Sequence, residues 1–380
     1  MMRVAHLLSY FPGQEGLTSF CRGLGSAFEE IEGIEVPIIS FRSRPAKEFT
    51  GREPPVIQFP CRKRHPFDIP KSFLTALDNR ELALDGAVLH GTYSPQVFAQ
   101  ARALSKRRIP YIFMPHDPYV GDLRRHKAIR KWCFWHLCEK WVIDHAAAIQ
   151  LLSASHEGPL RELGRTVPIH TIANGCHPED RFFSADDAKV PGESGPLVMQ
   201  YLGRMDRNHK GLDLLIRGFA LFLSEFKKTP DIFLRLSGND WVDRPFLEKL
   251  AYQLGIENKV EFTGRLSEHS VNIHSKADLS VLCSRFDGFG LTIVEAMLAG
   301  RPVIVSREAG VSEFVEKAEA GFLVKPEPES IANGIKAAWE RKAELKEMGQ
   351  RGQEYVCNHL TWEKVAKRSM ETYRQVFNIR

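Results

Sequence analysis

The sequence holds 380 residues, 43% hydrophobic and 26% charged, with a net charge of +5. That length exceeds one ordinary core and suits two domains, and the composition excludes disordered, collagenous and membrane-embedded classes. The small positive charge and the lack of any recognition module argue against nucleic acid as a partner.

The chain opens with Met1-Met2-Arg3-Val4-Ala5-His6-Leu7-Leu8. This apolar run is too short for a secretory leader and reads as a buried strand, Val4–Ser9. Further strands are predicted at Gly86–His90, Pro110–Met114 and Ala147–Leu152, then at Leu197–Leu202, Ile232–Leu236, Lys259–Thr263, Leu279–Leu282 and Pro302–Val305. Helical patterns such as Leu212–Phe226 and Phe246–Leu254 lie between them. Strand–helix alternation of this kind predicts parallel sheets covered on both faces. It pauses at His177–Pro196, which carries three prolines and two glycines and reads as a domain boundary. The expected domains are 1–177 and 196–361, with residues 362–380, including the amphipathic Trp362–Phe377, packing back on the first. No run is long enough to span a bilayer. Seven scattered cysteines point to reduced thiols and a cytoplasmic address; Cys133 and Cys138 lack zinc-ribbon spacing.

In parallel α/β sheets ligands bind at the carboxyl ends of strands, and five places put polar or glycine-rich residues there. The loop Ser9–Gly16 could bring backbone N–H groups to a diphosphate at Gly16, or be a plain turn. After the Pro110–Met114 strand comes His116, a site candidate or a satisfied core residue, with Asp117-Pro118 reading as a helix cap. Gly203-Arg204…Lys210-Gly211 places two cations six apart, able to hold two phosphates or simply form an exposed basic loop. Thr263-Gly264-Arg265-Leu266 could meet a base or be a turn. The richest stretch is Phe286-Asp287-Gly288-Phe289-Gly290-Leu291-Thr292-Ile293-Val294-Glu295-Ala296-Met297. Its two carboxylates, eight apart, flank a glycine turn opening a helix whose free N–H groups can receive phosphate oxygens. Thr292…Glu295 also has the form of a capping box, which would give Glu295 a purely structural task.

Read together, Gly203-Arg204…Lys210-Gly211, Phe262-Thr263-Gly264, Ala277-Asp278-Leu279, Gly288-Phe289-Gly290…Glu295-Ala296-Met297, Gly300-Arg301-Pro302-Val303-Ile304 and Gly321-Phe322-Leu323-Val324 resemble a family-4 retaining glycosyltransferase of the GT-B fold (the group 1 type). The match runs through residues 197–330; the first half matches more thinly, at Gly16, His116-Asp117, Ser153 and Asn174-Gly175.

The resemblance implies an α/β protein of two Rossmann-like domains facing across a cleft, the second holding most of the nucleotide. Arg204 and Lys210 would bind the diphosphate, with Gly203 in the same loop and Glu295 on the ribose hydroxyls. Phe289, Gly290, Leu291 and Thr292 would line the phosphate and sugar, Gly290 to Thr292 through backbone amides. Arg265 and Leu266 would flank the base. His116 would face the donor sugar near its 6-hydroxyl, and Asp287 would lie beside the 3- and 4-hydroxyls. The family pattern has glutamate at the position of Asp287, one carbon–carbon bond (~1.5 Å) longer. The glycine pair usual in the first loop is also reduced, since Leu17 follows Gly16.

The implied reaction is retaining transfer of a hexose, glucose from UDP-glucose as first choice, to a sugar or lipid-linked sugar acceptor in polysaccharide or glycolipid synthesis. Arg204, Lys210 and a helix N-terminus can stabilise the departing diphosphate without a metal, and no aspartate pair sits in a strand-end loop suited to magnesium, Asp186-Asp187 falling in the linker. Neither metal nor cofactor is expected. Residues 1–178 carry 23 Lys+Arg against 17 Asp+Glu, the remainder 29 against 30, so the first half favours an anionic partner. Within it Asp122–Trp141 interleaves Arg124, Arg125, Lys127, Arg130, Lys131 and Lys140 with Trp132, Phe134, Trp135 and Trp141. That pattern fits peripheral contact with an anionic membrane, or a helix with aromatics in the core and cations in solvent. The competing functions are a sugar-nucleotide epimerase of the same fold and a catalytically weak nucleotide-sugar-binding subunit.

Overall fold

The computed structural model describes residues 1–9, 11, 15–41, 55–59, 67–116, 119, 128–162, 164, 166–183, 189–193, 195–238 and 243–378. Asp117-Pro118, Asp186-Asp187, Arg124, Arg125 and Lys127 lie outside the described residues.

The chain divides into two compact units, Met1–Gly175 with Trp362–Arg380, and Cys176–Thr361. The division falls before His177, so the Pro/Gly-rich stretch read as a linker belongs to the second unit. Asp278 is the reason. This buried carboxylate at the start of a strand accepts from Lys189 Nζ at 2.6 Å, Gly192 N at 3.0 Å and Val198 N at 2.7 Å, tying the stretch to the sheet.

In the first unit the described strands are β1 Met2–Leu8, β2 Ile34–Glu35, β3 Ile38–Ser40, β4 Val56–Gln58, β5 Gly86–His90, β6 Tyr111–Met114, β7 Ala148–Leu151 and β8 Ile169–Thr171. All pairings are parallel, in the order β4-β3-β1-β5-β6-β7-β8 with β2 beside β1. The central strands β1, β5, β6 and β7 are almost wholly buried, as a sheet covered on both faces requires. The order grows outward from β1 in both directions, so the chain reverses between β1 and β5, and a crevice opens at their carboxyl ends.

The C-terminal helix Trp362–Val376 belongs to this unit and contacts the helix Glu15–Glu29. Its seat is cut by a glycine: a Cβ added to Gly23 would lie 2.1 Å from Trp362 Cε2. The sequence marked Trp362–Phe377 as amphipathic; the vacancy at Gly23 shows where its large end residue goes.

The second unit carries β9 Leu197–Leu202, β10 Ile232–Ser237, β11 Val260–Gly264, β12 Leu279–Leu282, β13 Val303–Ser306 and β14 Gly321–Val324. They are parallel and ordered β11-β10-β9-β12-β13-β14. The reversal here lies between β9 and β12, so the loops after those two strands flank the crevice. The predicted strands fall within two residues of the observed ones. The strands without a counterpart in the sequence reading, β2, β3, β4, β8 and β14, span two to four residues each, too short to show a period.

Candidate active site

The loop after β9 and the loop after β12 meet at the reversal point of the second sheet. After β9 the chain passes Gly203 and exposed Arg204, then forms a single helical turn, Arg207–Lys210. Asp206 caps it, accepting from the N–H groups of Asn208 and His209, both at 3.0 Å. Burial works against a charge on Asp206, but the His209 ring, 2.7 Å away, the His209 N–H and the charge of Arg204 hold its carboxyl below the usual range. Gly211 ends the turn at φ 62, where a Cβ would lie 2.2 Å from Cys283 O. The glycine thereby brings the Arg204–Lys210 loop directly onto the end of β12. His209 O accepts from Arg285 N at 2.9 Å, and Arg285 forks onto Asp213 with both contacts at 2.8 Å.

Lys210 and Asp287 are consequently adjacent, with Nζ 2.5 Å from Oδ2. Asp287 Oδ2 also receives the Ser284 hydroxyl at 3.4 Å, and Oδ1 the Phe289 N–H at 3.3 Å. Burial pushes the Asp287 carboxyl up, and the Lys210 ammonium with these donors outweighs it, leaving the group below the usual carboxylate range. The sequence reading separated these residues, giving Lys210 to phosphate and Asp287 to sugar hydroxyls. The fold joins them.

The helix Leu291–Leu298 begins at Gly290, whose φ is 98. This start removes the capping box. Thr292 is the second helical residue, no side chain caps the helix, and the Thr292 hydroxyl lies 3.2 Å from His274 Nε2. His274, buried and neutral with its pKa pulled to about 3 by burial and by Arg301, rests its other nitrogen on Ser280 at 2.7 Å. Nothing in the sequence marked His274; it holds the helix start from behind. Glu295 is half-buried and bonded to Ser270, and burial, with Asp180 nearby, pushes its carboxyl up to about 7. Phe289 is buried against Phe314, their centroids 5.8 Å apart, with its N–H on Asp287 and its carbonyl accepting from Val311 N at 2.8 Å. Arg265 is exposed and Leu266 half-exposed beyond β11.

Gly16 and His116 belong to the first unit. Gly16 is exposed in the helix Glu15–Glu29, with open space where a Cβ would go. His116 follows β6 with φ 65, an uncommon conformation outside glycine. Burial pulls its pKa to about 4, and its Nε2 lies 2.7 Å from His90 Nδ1.

One surface cavity, of about 580 Å³, lies elsewhere, along β14 and the helices that follow. Its arginines pair locally: Arg341 with Glu344 at 2.6 Å, Arg351 with Glu319 at 3.9 Å and Arg307 with Glu316 at 3.6 Å.

A family model described as "Glycosyl transferases group 1" matches residues 183–355, and one described as "Glycosyl transferase 4-like domain" matches residues 15–175. Between them they account for nearly all of the chain. The chain belongs to the group 1 glycosyltransferases. Curated relatives agree over part of their length. An uncharacterized glycosyltransferase of Methanocaldococcus jannaschii is 31% identical over 47% of this chain and 44% of that protein. Mannosylfructose-phosphate synthase of Agrobacterium fabrum is 28% identical over 52% of this chain and 46% of that protein. The chain thus spans about half the length of the curated relatives it matches. Among solved structures, sucrose-phosphate synthase from Thermosynechococcus elongatus superposes with a TM-score of 0.79 at 22% identity, covering 100% of both chains. Anabaena HepE in complex with UDP and glucose gives 0.75 at 20%, covering 99% of this chain and 100% of that one. At these identities the likeness establishes the fold, which is that of the GT-B glycosyltransferases.

Proposed function

We propose that this group 1 glycosyltransferase transfers a hexose from a UDP-sugar, with glucose as first choice, to a sugar or lipid-linked sugar acceptor, retaining configuration at the anomeric carbon. The observation that carries the reading is the contact of Lys210, whose loop also carries Arg204, with Asp287 beside the start of the Leu291–Leu298 helix at the reversal point of the second sheet. A structural neighbour supports the donor class: Anabaena HepE was solved in complex with UDP-glucose.

In this reading Arg204 and Lys210 take the diphosphate, and the backbone N–H groups of Gly290, Leu291 and Thr292 receive phosphate or sugar oxygens. Glu295 holds the ribose hydroxyls, and Arg265 and Leu266 flank the base. His116 and Asp287 serve the sugar. As the glycosidic bond lengthens, positive charge grows on the sugar and negative charge on the leaving oxygen. Arg204, Lys210 and the helix start stabilise the second, which lowers the barrier without a metal. Asp287, held ionised by Lys210, faces the first.

Titration calorimetry with UDP, GDP and ADP in chelator tests the donor site, followed by an assay for UDP release from UDP-sugars. Metal-free UDP binding with slow release from one UDP-sugar is expected. Failure of all three nucleotides to bind would reject the site.

The acceptor proposal rests on the helical stretch Ala128–Asp144. Ile129, Trp132 and Leu137 are 83%, 64% and 74% exposed there, beside exposed Arg130 and Lys140, whereas Trp135 and Trp141 pack on the core. Exposed apolar residues among cations suit an anionic membrane surface. No helix among the described residues is long and apolar enough to cross a membrane. Sedimentation with anionic vesicles, lost in Ile129→Ser/Trp132→Ser and absent with zwitterionic vesicles, is the expected result; equal sedimentation of the double variant would reject the surface.

A further inference from the structure

Inside the first unit, three imidazoles and one phenol form a continuous hydrogen-bonded chain. β1, β5 and β6 are adjacent, and His6, His90 and His116 lie along or just past them, each closer to the carboxyl edge of the sheet than the last. Neighbouring strands stand about 4.8 Å apart, and the rings keep that spacing, 4.9 Å from His6 to His90 and 5.0 Å from His90 to His116. The contacts run nitrogen to nitrogen: His6 Nδ1 to His90 Nε2 at 3.0 Å, and His90 Nδ1 to His116 Nε2 at 2.7 Å. At the inner end the Tyr373 hydroxyl, from the C-terminal helix, lies 3.0 Å from His6 Nε2. Phe20 stands within 6.3 Å of all three imidazole centroids and walls the chain off.

Burial pulls His6 to about 3, His116 to about 4 and His90 well below its ordinary value, so all three are neutral at pH 7. A neutral imidazole has one N–H and one bare nitrogen, so every bond along the chain points the same way. Two polarities exist. In one, Tyr373 O–H donates to His6 and each Nδ1–H donates outward, which leaves His116 with its proton on Nδ1. In the other, each Nε2–H donates inward and His116 presents a bare Nδ1. A phenol is a stronger acid than a neutral imidazole, and an imidazole nitrogen accepts better than a phenol oxygen. The first polarity therefore pairs the better donor with the better acceptor.

We propose that Tyr373, His6 and His90 are positioning residues that fix His116 as the Nδ1–H tautomer, so that it donates a hydrogen bond to a sugar hydroxyl oxygen. The sugar is the part that rests on the donor-site reading above. His116 is held at φ 65 at the open end of the chain, and such backbone strain is kept where the surroundings fix a residue for use. His6, Cys21 and His90 also bring ligand atoms within 4.8 Å of one another. A metal there would have to displace the proton shared across the 3.0 Å contact between His6 and His90.

The test is the histidine tautomer, read by long-range ¹H–¹⁵N correlation on the full ligand-free chain at neutral pH in chelator. Protonated Nδ1 on His6, His90 and His116 is expected. Tyr373→Phe keeps the ring beside Phe28 and Phe377 and removes only the hydroxyl. It should shift His116 toward the Nε2–H form with the unfolding midpoint little changed, and raise the donor KM about tenfold with a smaller effect on kcat. A native His116 protonated on Nε2, or a spectrum untouched by Tyr373→Phe, overturns the relay. So does tight zinc binding that protects Cys21 from thiol reagents. The spectra need no substrate, so a wrong sugar assignment shows separately, as donor kinetics unaltered in His116→Ala.

Discussion

Lys210 Nζ and Asp287 Oδ2 lie 2.5 Å apart, joining the loops after β9 and β12 at the point where the second sheet reverses. The side chains are 20% and 11% exposed, so the pair is largely shielded from water. A cation suited to phosphate and an anion suited to sugar thus share one position. The shorter side chain found where the family pattern has glutamate reaches the ammonium directly.

Asp287→Asn leaves that ammonium without its charge partner. The expected cost is about 1–3 kcal/mol at neutral pH, between the exposed and fully buried cases, measured by urea unfolding. The folded carboxyl titrates below its unfolded value, so its stabilisation is present above the unfolded pKa, about 3.9, and is lost as pH falls through the folded one. The gap between native and variant should close in acid; a constant gap would mean that charge is not its source.

Glu295→Gln separates ribose binding from structure. Affinity for a UDP-sugar should drop about tenfold while the fold persists. Burial pushes the folded Glu295 carboxyl up to about 7, above the ordinary 4.5. Its stabilisation is therefore full below the unfolded value and declines as pH rises through 7. Glutamine does not titrate, so the variant should gain on the native protein across that window. Unchanged affinity would remove Glu295 from the site.

The three buried histidines carry the opposite sign. Their folded pKa values lie below the ordinary 6.5, at about 3 for His6 and about 4 for His116. Stability from this cluster is complete above 6.5 and falls as pH drops toward 4, because the unfolded chain takes up protons that the folded one refuses. His90→Gln should flatten the slope of unfolding free energy against pH in that range. An equal slope would place the titration elsewhere.

Gly23→Ala puts a methyl group 2.1 Å from Trp362 Cε2 and should cost about 1–3 kcal/mol by overpacking, with a change in tryptophan fluorescence. Gly16→Ala meets open space within the same helix and should stabilise by about 0.5–1 kcal/mol. Weaker UDP-sugar binding in Gly16→Ala would show that its backbone approaches the ligand; undiminished binding would assign it to the helix alone.

The sequence by itself determined the parallel α/β class, the central strands and the five strand-end loops, because each rests on local signals. Apolar runs of fixed length mark buried strands, and glycine beside charge marks their ends. It carried the cations Arg204 and Lys210 and the helix opening after Gly290 for the same reason. Only the tertiary structure decided the partners. Lys210 and Asp287 are 77 residues apart, and a spacing cannot say that two loops meet at a sheet reversal. The capping box at Thr292 was a sound local reading that lost to His274, which takes the hydroxyl from a neighbouring helix. The chain Tyr373–His6–His90–His116 joins both ends of the polypeptide, with Tyr373 and His6 367 residues apart. Strand order brings its rings together, and strand order is set by packing of the whole sheet, not by any one segment.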